Sequence, residues 1–173
     1  MRPALSTLGG RRSSQPVRVA VAGLGFGETV HLPALRSGLL TEPVALWHPR
    51  AERLEQACQR AELPGHTDFE ALLGDPQIEA VVIATPPGPR FDLARRALLA
   101  GKHLLLEKPV ALEAAQIEEL QRLALRQRCC VAVDFEYRAV PLFQQMAALI
   151  AEEGRGGPWL LNPDWMMTSP ADG

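Results

Sequence analysis

This sequence is poor in lysine, in cysteine, in aromatic residues and in long apolar runs. Of its 18 basic residues only Lys102 and Lys108 are lysines, and the others are arginines. That pattern reflects a genomic composition bias, so clustered arginines carry less weight than usual. The three cysteines, Cys58, Cys129 and Cys130, are odd in number and contain no C-x-x-C spacing. Neither a zinc site nor a redox pair is indicated, and no metal is expected. The cysteines read as small hydrophobes in a reducing compartment. No stretch approaches the roughly 18 consecutive apolar residues of a membrane span. The net charge is only -2, so bulk charge points to neither a nucleic-acid nor a membrane partner. The first sixteen residues lack an apolar core of signal-peptide length, and Arg11 and Arg12 stand among Gly and Ser. Residues 1–16 therefore read as a flexible arm, and the protein as cytoplasmic.

What remains is an ordinary globular composition, 47% hydrophobic and 22% charged over 173 residues. That length suits one domain and the start of another. The organising stretch is VRVAVAGLGFGETVHLPAL, residues 17–35. Val17, Val19 and Val21 mark a buried strand, which breaks at Gly23, Gly25 and Gly27 into a helix over Thr29–Leu40. A second strand is expected at Pro43–Trp47, a charged amphipathic helix at Ala51–Leu63, and a helical turn at Phe69–Leu73 with Asp68 as its N-cap. Ala80–Ala84 and His103–Leu106 are continuous apolar runs, as strands covered on both faces should be. Pro86-Pro87-Gly88-Pro89 reads as a rigid connection, Arg90–Leu99 as a helix closed near Gly101, Leu112–Arg128 as the longest helix, and Cys129–Asp134 as a further strand. Strands alternating with helices at this spacing imply a parallel sheet with right-handed crossovers, a Rossmann-type doubly wound α/β fold over residues 17–139. Beyond Val140-Pro141, residues 140–173 read as the truncated start of a second α/β domain. They contain a helix at Leu142–Glu153, a turn at Gly154–Gly157 and a strand at Trp159–Met167.

In such a fold the first glycine gives a tight turn, and the second lets the backbone approach a pyrophosphate held at the helix N-terminus. Gly23, Gly25, Phe26 and Gly27 are assigned to that contact. The third position of G-x-G-x-x-G is Glu28, which is expected to point away from the phosphates. At the end of the second strand an acid would favour NAD through the ribose hydroxyls. This chain has Trp47, His48 and Arg50 there, so NADP is favoured over NAD, with His48 and Arg50 on a 2′-phosphate. Arg50 also fits a solvated helix start, and Trp47 either stacks on an adenine or packs in the core. Thr85 and Pro86 fall at the carboxyl end of a central strand, near the crevice where such sheets bind ligands. The stretch GKHLLLEKP, residues 101–109, puts Glu107 and Lys108 at the end of another buried strand. There the Lys108 ammonium could hydrogen-bond a substrate hydroxyl and stabilise a developing alkoxide. Pro109 stiffens that turn, in trans or in cis.

These residues together resemble the glucose–fructose oxidoreductase / inositol dehydrogenase (Gfo/Idh/MocA) family. The carrying segments are AGLGFGETVHLPAL (22–35), IATPP (83–87), ALLAGKHLLLEKPVA (97–111) and VDFEYRAVP (133–141). The resemblance implies an N-terminal Rossmann domain, and a second α/β domain carrying the substrate pocket and a homo-oligomer interface. It implies hydride transfer between NAD(H) or NADP(H) and a sugar or polyol. On that resemblance Lys108 is the catalytic substrate-hydroxyl contact, Glu107 lies near the nicotinamide, and both are assigned to cofactor binding. Thr85 and Pro86 lie beside the cofactor ribose, with Tyr137 and Arg138 close to the nicotinamide side. Where many members have a His after the Thr-Pro loop, this chain has Arg90, assigned here to a cofactor contact. The family's second domain usually carries an Asp and a His four residues apart. No His follows His103 in this sequence, so the chain alone is expected to be a very poor catalyst. The competing reading is a non-catalytic NAD(P)-binding module or redox sensor, and a weaker one is a degenerate remnant.

Overall fold

The computed structural model describes residues 15–151. The strand expected at Trp159–Met167, the turn at Gly154–Gly157 and nearly all of the N-terminal arm lie outside the described residues. The chain divides between Phe135 and Glu136 into two compact units.

The first unit is built on six strands: β1 (Val17–Ala22), β2 (Thr41–Trp47), β3 (Gly65–His66), β4 (Ala80–Ile83), β5 (His103–Glu107) and β6 (Val131–Asp134). Their order across the sheet is β3-β2-β1-β4-β5-β6, and every pairing is parallel. This is the doubly wound Rossmann arrangement, whose direction of winding reverses between β1 and β4. The connecting helices are α1 (Leu32–Ser37), α2 (Ala51–Ala61), α3 (Phe69–Leu73), α4 (Pro87–Leu99) and α5 (Ala114–Gln127). Side chains alternate across a strand, and the two apolar layers follow that rule. Val19, Val21 and Val82 pack with Leu32, Leu54, Ala57 and Ala61 of α1 and α2. Ala20, Ala22, Val81 and Ile83 pack with Leu72, Leu93, Leu98, Leu120 and Leu123 of α3, α4 and α5. Val21, Leu46, Val81, Ile83 and Leu106 are completely buried. Each contributes roughly 1.5–3 kcal/mol relative to an exposed side chain.

Several boundaries move for identifiable reasons. The helix expected over Thr29–Leu40 is a π turn, Gly27–His31, running into the short α1. Pro33 sits in the first turn of α1 and has no N–H to continue an i→i−4 ladder from below. The join is instead an i→i−5 bond from the Leu32 N–H to the Gly27 carbonyl. Strand β2 begins at Thr41 rather than Pro43: Pro43 pairs with Val19 next to a register shift that skips Val44, Ala45 pairing with Ala20, and such an irregularity tolerates a missing donor. Helix α4 begins at Pro87, inside what reads as a rigid connection. Prolines are accepted there because the first helical N–H groups need no intrahelical partner. Asp68 caps α3 as expected, its carboxylate accepting the Glu70 N–H at 3.0 Å.

At the amino ends of the strands, Lys102 is buried and donates to the carbonyls of Asp75 (2.8 Å) and Ile78 (2.7 Å). Burial lowers its pKa, partly offset by the Asp75 charge. It fastens the turn before β4 to the start of β5. The second unit contains a 3-10 turn, Glu136–Ala139, and α6 (Pro141–Ala151). Tyr137 and Arg138 lie on that turn, Tyr137 edge-on to Phe143 at 5.7 Å. Among the described residues no helix is long and apolar enough to cross a membrane.

Candidate cofactor site at the carboxyl edge of the sheet

The carboxyl ends of β1 and β4 flank the point where the winding reverses, and the glycine turn closes over it. Gly23 has φ +106°, and a Cβ there would stand 2.7 Å from the Ala84 carbonyl oxygen. Only glycine fits that contact. A Cβ on Gly27 would meet the Val21 Cγ1 at 2.9 Å and the Ala84 Cβ at 3.3 Å. Gly27 therefore gives the close helix–strand packing normally supplied by the third glycine, one place earlier. This explains why Glu28 is tolerated at the third position. Its carboxylate turns to α2, where Arg60 holds it through two bonds of 2.8 and 3.1 Å. Gly25 is different: it is exposed, and nothing lies within 4 Å of where its Cβ would be. No side chain caps the helical turn that follows.

Beyond β2, Trp47 is buried in the core and meets Phe69 edge-on at 5.0 Å. Of its two expected positions it takes the packing one. The Nδ1 of His48 accepts the Arg50 N–H at 3.1 Å. Partial burial lowers the His48 pKa, as do the charges of Arg53 and Arg50, while the Arg50 carbonyl oxygen, 3.4 Å from the same Nδ1, raises it. Arg50 is exposed at the N-cap of α2.

At the end of β4, Thr85 is buried, and its hydroxyl has no hydrogen-bond partner among the described residues. Arg90 is buried beneath it. Its Nη2 donates to the Thr85 carbonyl, and its Nη1 to the carbonyls of Glu107 (2.7 Å) and Pro109. The Lys108–Pro109 peptide is cis.

Glu107 closes β5 in register with Asp134 of β6. The buried Glu107 carboxylate takes its side-chain donor from His31. Its Nε2 lies 2.8 Å from the Glu107 Oε1 and 3.9 Å from the Asp134 Oδ2. The second Glu107 oxygen accepts the Lys108 N–H at 3.1 Å. His31 also meets Phe26 edge-on at 5.4 Å. The histidine therefore ties the glycine-turn helix to the Glu-Lys-Pro turn. Reading by sequence gave no role to His31 or Asp134. A single His in an apolar helical stretch gives no local sign of a partner 76 residues away. The signal available was that both strand ends carry an acid. His31, Glu107 and Asp134 are also the one group among the described residues whose ligand atoms lie close enough, within 4.8 Å, to share a metal ion.

A family described as "Oxidoreductase family, NAD-binding Rossmann fold" (GFO_IDH_MocA) matches residues 17–135. The chain belongs to this family. It is 38% identical over 160 residues to an uncharacterised oxidoreductase of Synechocystis, covering 92% of this chain and 43% of that protein. It is 28% identical over 149 residues to a scyllo-inositol 2-dehydrogenase (NADP(+)) of Bacillus subtilis, covering 86% and 41%. Among solved structures it is similar to a 3-ketoreductase of Actinomadura kijaniata in complex with NADP and TDP-benzene. There the TM-score is 0.74 at 30% identity, over 78% of this chain and 42% of that one. The chain thus spans about two-fifths of the length of the relatives it matches. Family membership agrees with the fold, and the site lies where dinucleotides bind in such sheets. The features a dinucleotide needs are present: open space over Gly25, an uncapped helical turn, and a buried Thr85 hydroxyl without a partner among the described residues.

Proposed function

We propose that this chain is the nucleotide-binding part of an oxidoreductase that moves hydride between NADP(H) or NAD(H) and a sugar-like alcohol or ketone. The observation that carries the reading is the convergence of the Gly25 turn, the Thr85 loop and the Glu107-Lys108 turn at one edge of the sheet. The inositol dehydrogenase and the sugar-nucleotide ketoreductase among the relatives support the substrate class.

In this reading the backbone at Gly25, Phe26 and Gly27 holds the pyrophosphate. His48 and Arg50 hold a 2′-phosphate, which favours NADP. Thr85 and Pro86 sit against the nicotinamide ribose. The nicotinamide cofactor, when bound, supplies or accepts the hydride. Lys108 is the catalytic residue. Its ammonium donates to the reacting oxygen and stabilises the alkoxide charge, which grows as hydride adds to the carbonyl and is consumed as hydride leaves in the reverse direction. Glu107 is committed to His31 and to the Lys108 N–H, and so orients the base of that lysine. Residues from about 140 onward open the second domain, which completes the substrate pocket and forms the interface of a homo-oligomer.

The test is hydride transfer by the full-length protein, followed as NADPH absorbance against a panel of keto sugars and inosones. Lys108→Met should cut kcat by at least about 10²-fold, the scale of a lost preorganised donor, with NADPH binding unchanged. NADPH binding without turnover on any member of the panel would favour a non-catalytic module instead.

A further inference from the structure

Arg90 is a buried charged side chain that makes three hydrogen bonds to backbone carbonyls, and the proposed hydride transfer leaves it without a task. It lies on the first turn and a half of α4 and is only 4% exposed. Burying an unpaired cation is costly, so its surroundings must satisfy it. Backbone carbonyls do so at both terminal nitrogens, those of Thr85, Glu107 and Pro109, while the buried Nε has no partner among the described residues. Burial lowers its pKa, offset in part by the nearby Glu107 charge.

The position of those carbonyls is what matters. Strands β4 and β5 are in register from Ala80 opposite His103 to Ile83 opposite Leu106. Past Ile83 and Leu106 the ladder stops, and the two chains separate into the Thr85 loop and the Glu107–Pro109 turn. No strand pairing holds them together there. The planar guanidinium donates in both directions across that gap, one nitrogen to the Thr85 loop and another to the turn that carries Lys108. We propose that Arg90 is a positioning residue: a buried fork that continues the β4–β5 junction beyond the end of the ladder and fixes Lys108 relative to the Thr85 loop. It does this without touching cofactor or substrate. The fork geometry is specific to arginine. A lysine at this site keeps the charge but presents a single nitrogen, which cannot reach both loops in the same plane.

The proposal rests on the reading that these two loops hold cofactor and substrate, so its test has one arm that does not depend on that reading. Amide hydrogen exchange would be measured on the chain without cofactor, for the wild type, Arg90→Lys and Arg90→Gln, with Arg95→Lys on the exposed face of α4 as control. Losing charge-assisted hydrogen bonds changes a local opening equilibrium by roughly ten- to a hundredfold each. The expected result is exchange at least tenfold faster in segments 84–90 and 106–110 of both Arg90 variants. The central strands should keep wild-type protection, and the control should be unchanged. Unaltered exchange in those segments would overturn the proposal. So would a uniform rise across the whole sheet, which would make Arg90 a general packing residue. The second arm is NADPH titration by fluorescence. Both Arg90 variants should bind at least tenfold more weakly, and wild-type affinity in a variant with loosened loops would also overturn the positioning role. A wild type that binds no nicotinamide nucleotide would sink the proposed function instead, and the exchange arm would still decide the fork.

Discussion

Gly23 and Gly25 stand two residues apart in one turn, and replacing each by alanine should give opposite results. At Gly23 a methyl group would enter a space already filled, 2.7 Å from the Ala84 oxygen and 3.0 Å from the Thr85 nitrogen. The backbone there has φ +106°, which an L side chain adopts only at a cost of about 1–3 kcal/mol. Forcing the contact adds about 1–3 kcal/mol of overpacking. Gly23→Ala should therefore lose about 2–6 kcal/mol, a large part of the roughly 5–15 kcal/mol typical of a folded domain. At roughly 3–4 °C per kcal/mol for a chain of this size, Tm should drop by roughly 6–24 °C. Gly25 has open space and no positive φ, so Gly25→Ala should leave the free protein as stable as before, or more stable by about 0.4–1 kcal/mol through the unfolded state. Its methyl would occupy the space that a pyrophosphate must enter. Losing one charge-assisted hydrogen bond from the turn costs about 1.5–3 kcal/mol, so NADPH should bind roughly 10–100-fold more weakly. Thermal denaturation and fluorescence titration of both variants check this. A Gly25→Ala protein that binds NADPH like the wild type would refute the placement of the phosphates. A Gly23→Ala protein of unchanged Tm would refute the packing argument.

Three further outcomes follow from the same geometry. His31→Ala removes the side-chain donor to the buried Glu107 carboxylate and should cost about 1–3 kcal/mol, the scale for a buried polar group that loses its hydrogen bond; His31→Gln should recover part of it in urea titrations. Arg50→Ser should weaken NADPH binding by roughly tenfold or more and leave NADH binding within about twofold, measured side by side. His48 has a pKa held below 6.5, chiefly by partial burial. It is neutral in both folded and unfolded chains above that value, so its contribution to stability is complete there and is lost as pH falls through the lowered pKa. His48→Gln should flatten that acid limb in a plot of Tm against pH.

The sheet was legible because its central strands are continuous apolar runs, and Val81, Val82 and Ile83 are buried on both faces as that pattern requires. The glycine turn was legible as a turn. Its spacing was less so, since Gly27 takes over the packing of the expected third glycine only because it faces Val21 and Ala84. The π turn before Pro33 and the early start of β2 at a bulge were hidden. Both depend on where a missing proline N–H falls against a neighbouring element. The placement of Glu107 and Lys108 at the end of β5 was legible, because they follow an apolar strand directly. His31, Asp134 and the fork of Arg90 were not, because each acquires its meaning from a partner on another element. The position of Arg90 after the Thr-Pro loop suggests a contact to the cofactor, and gives no sign that its Nη1 and Nη2 donate to the backbone of the two loops.

The proposed function requires the carboxyl edge of this sheet to hold a nicotinamide dinucleotide. Titrating the chain with NADPH and with NADH, followed by nucleotide fluorescence, tests it most directly. Saturable binding of both, tighter for NADPH and weakened by Gly25→Ala, is the predicted result. Absence of saturable binding for either nucleotide, in a chain shown to be folded by circular dichroism, would contradict it.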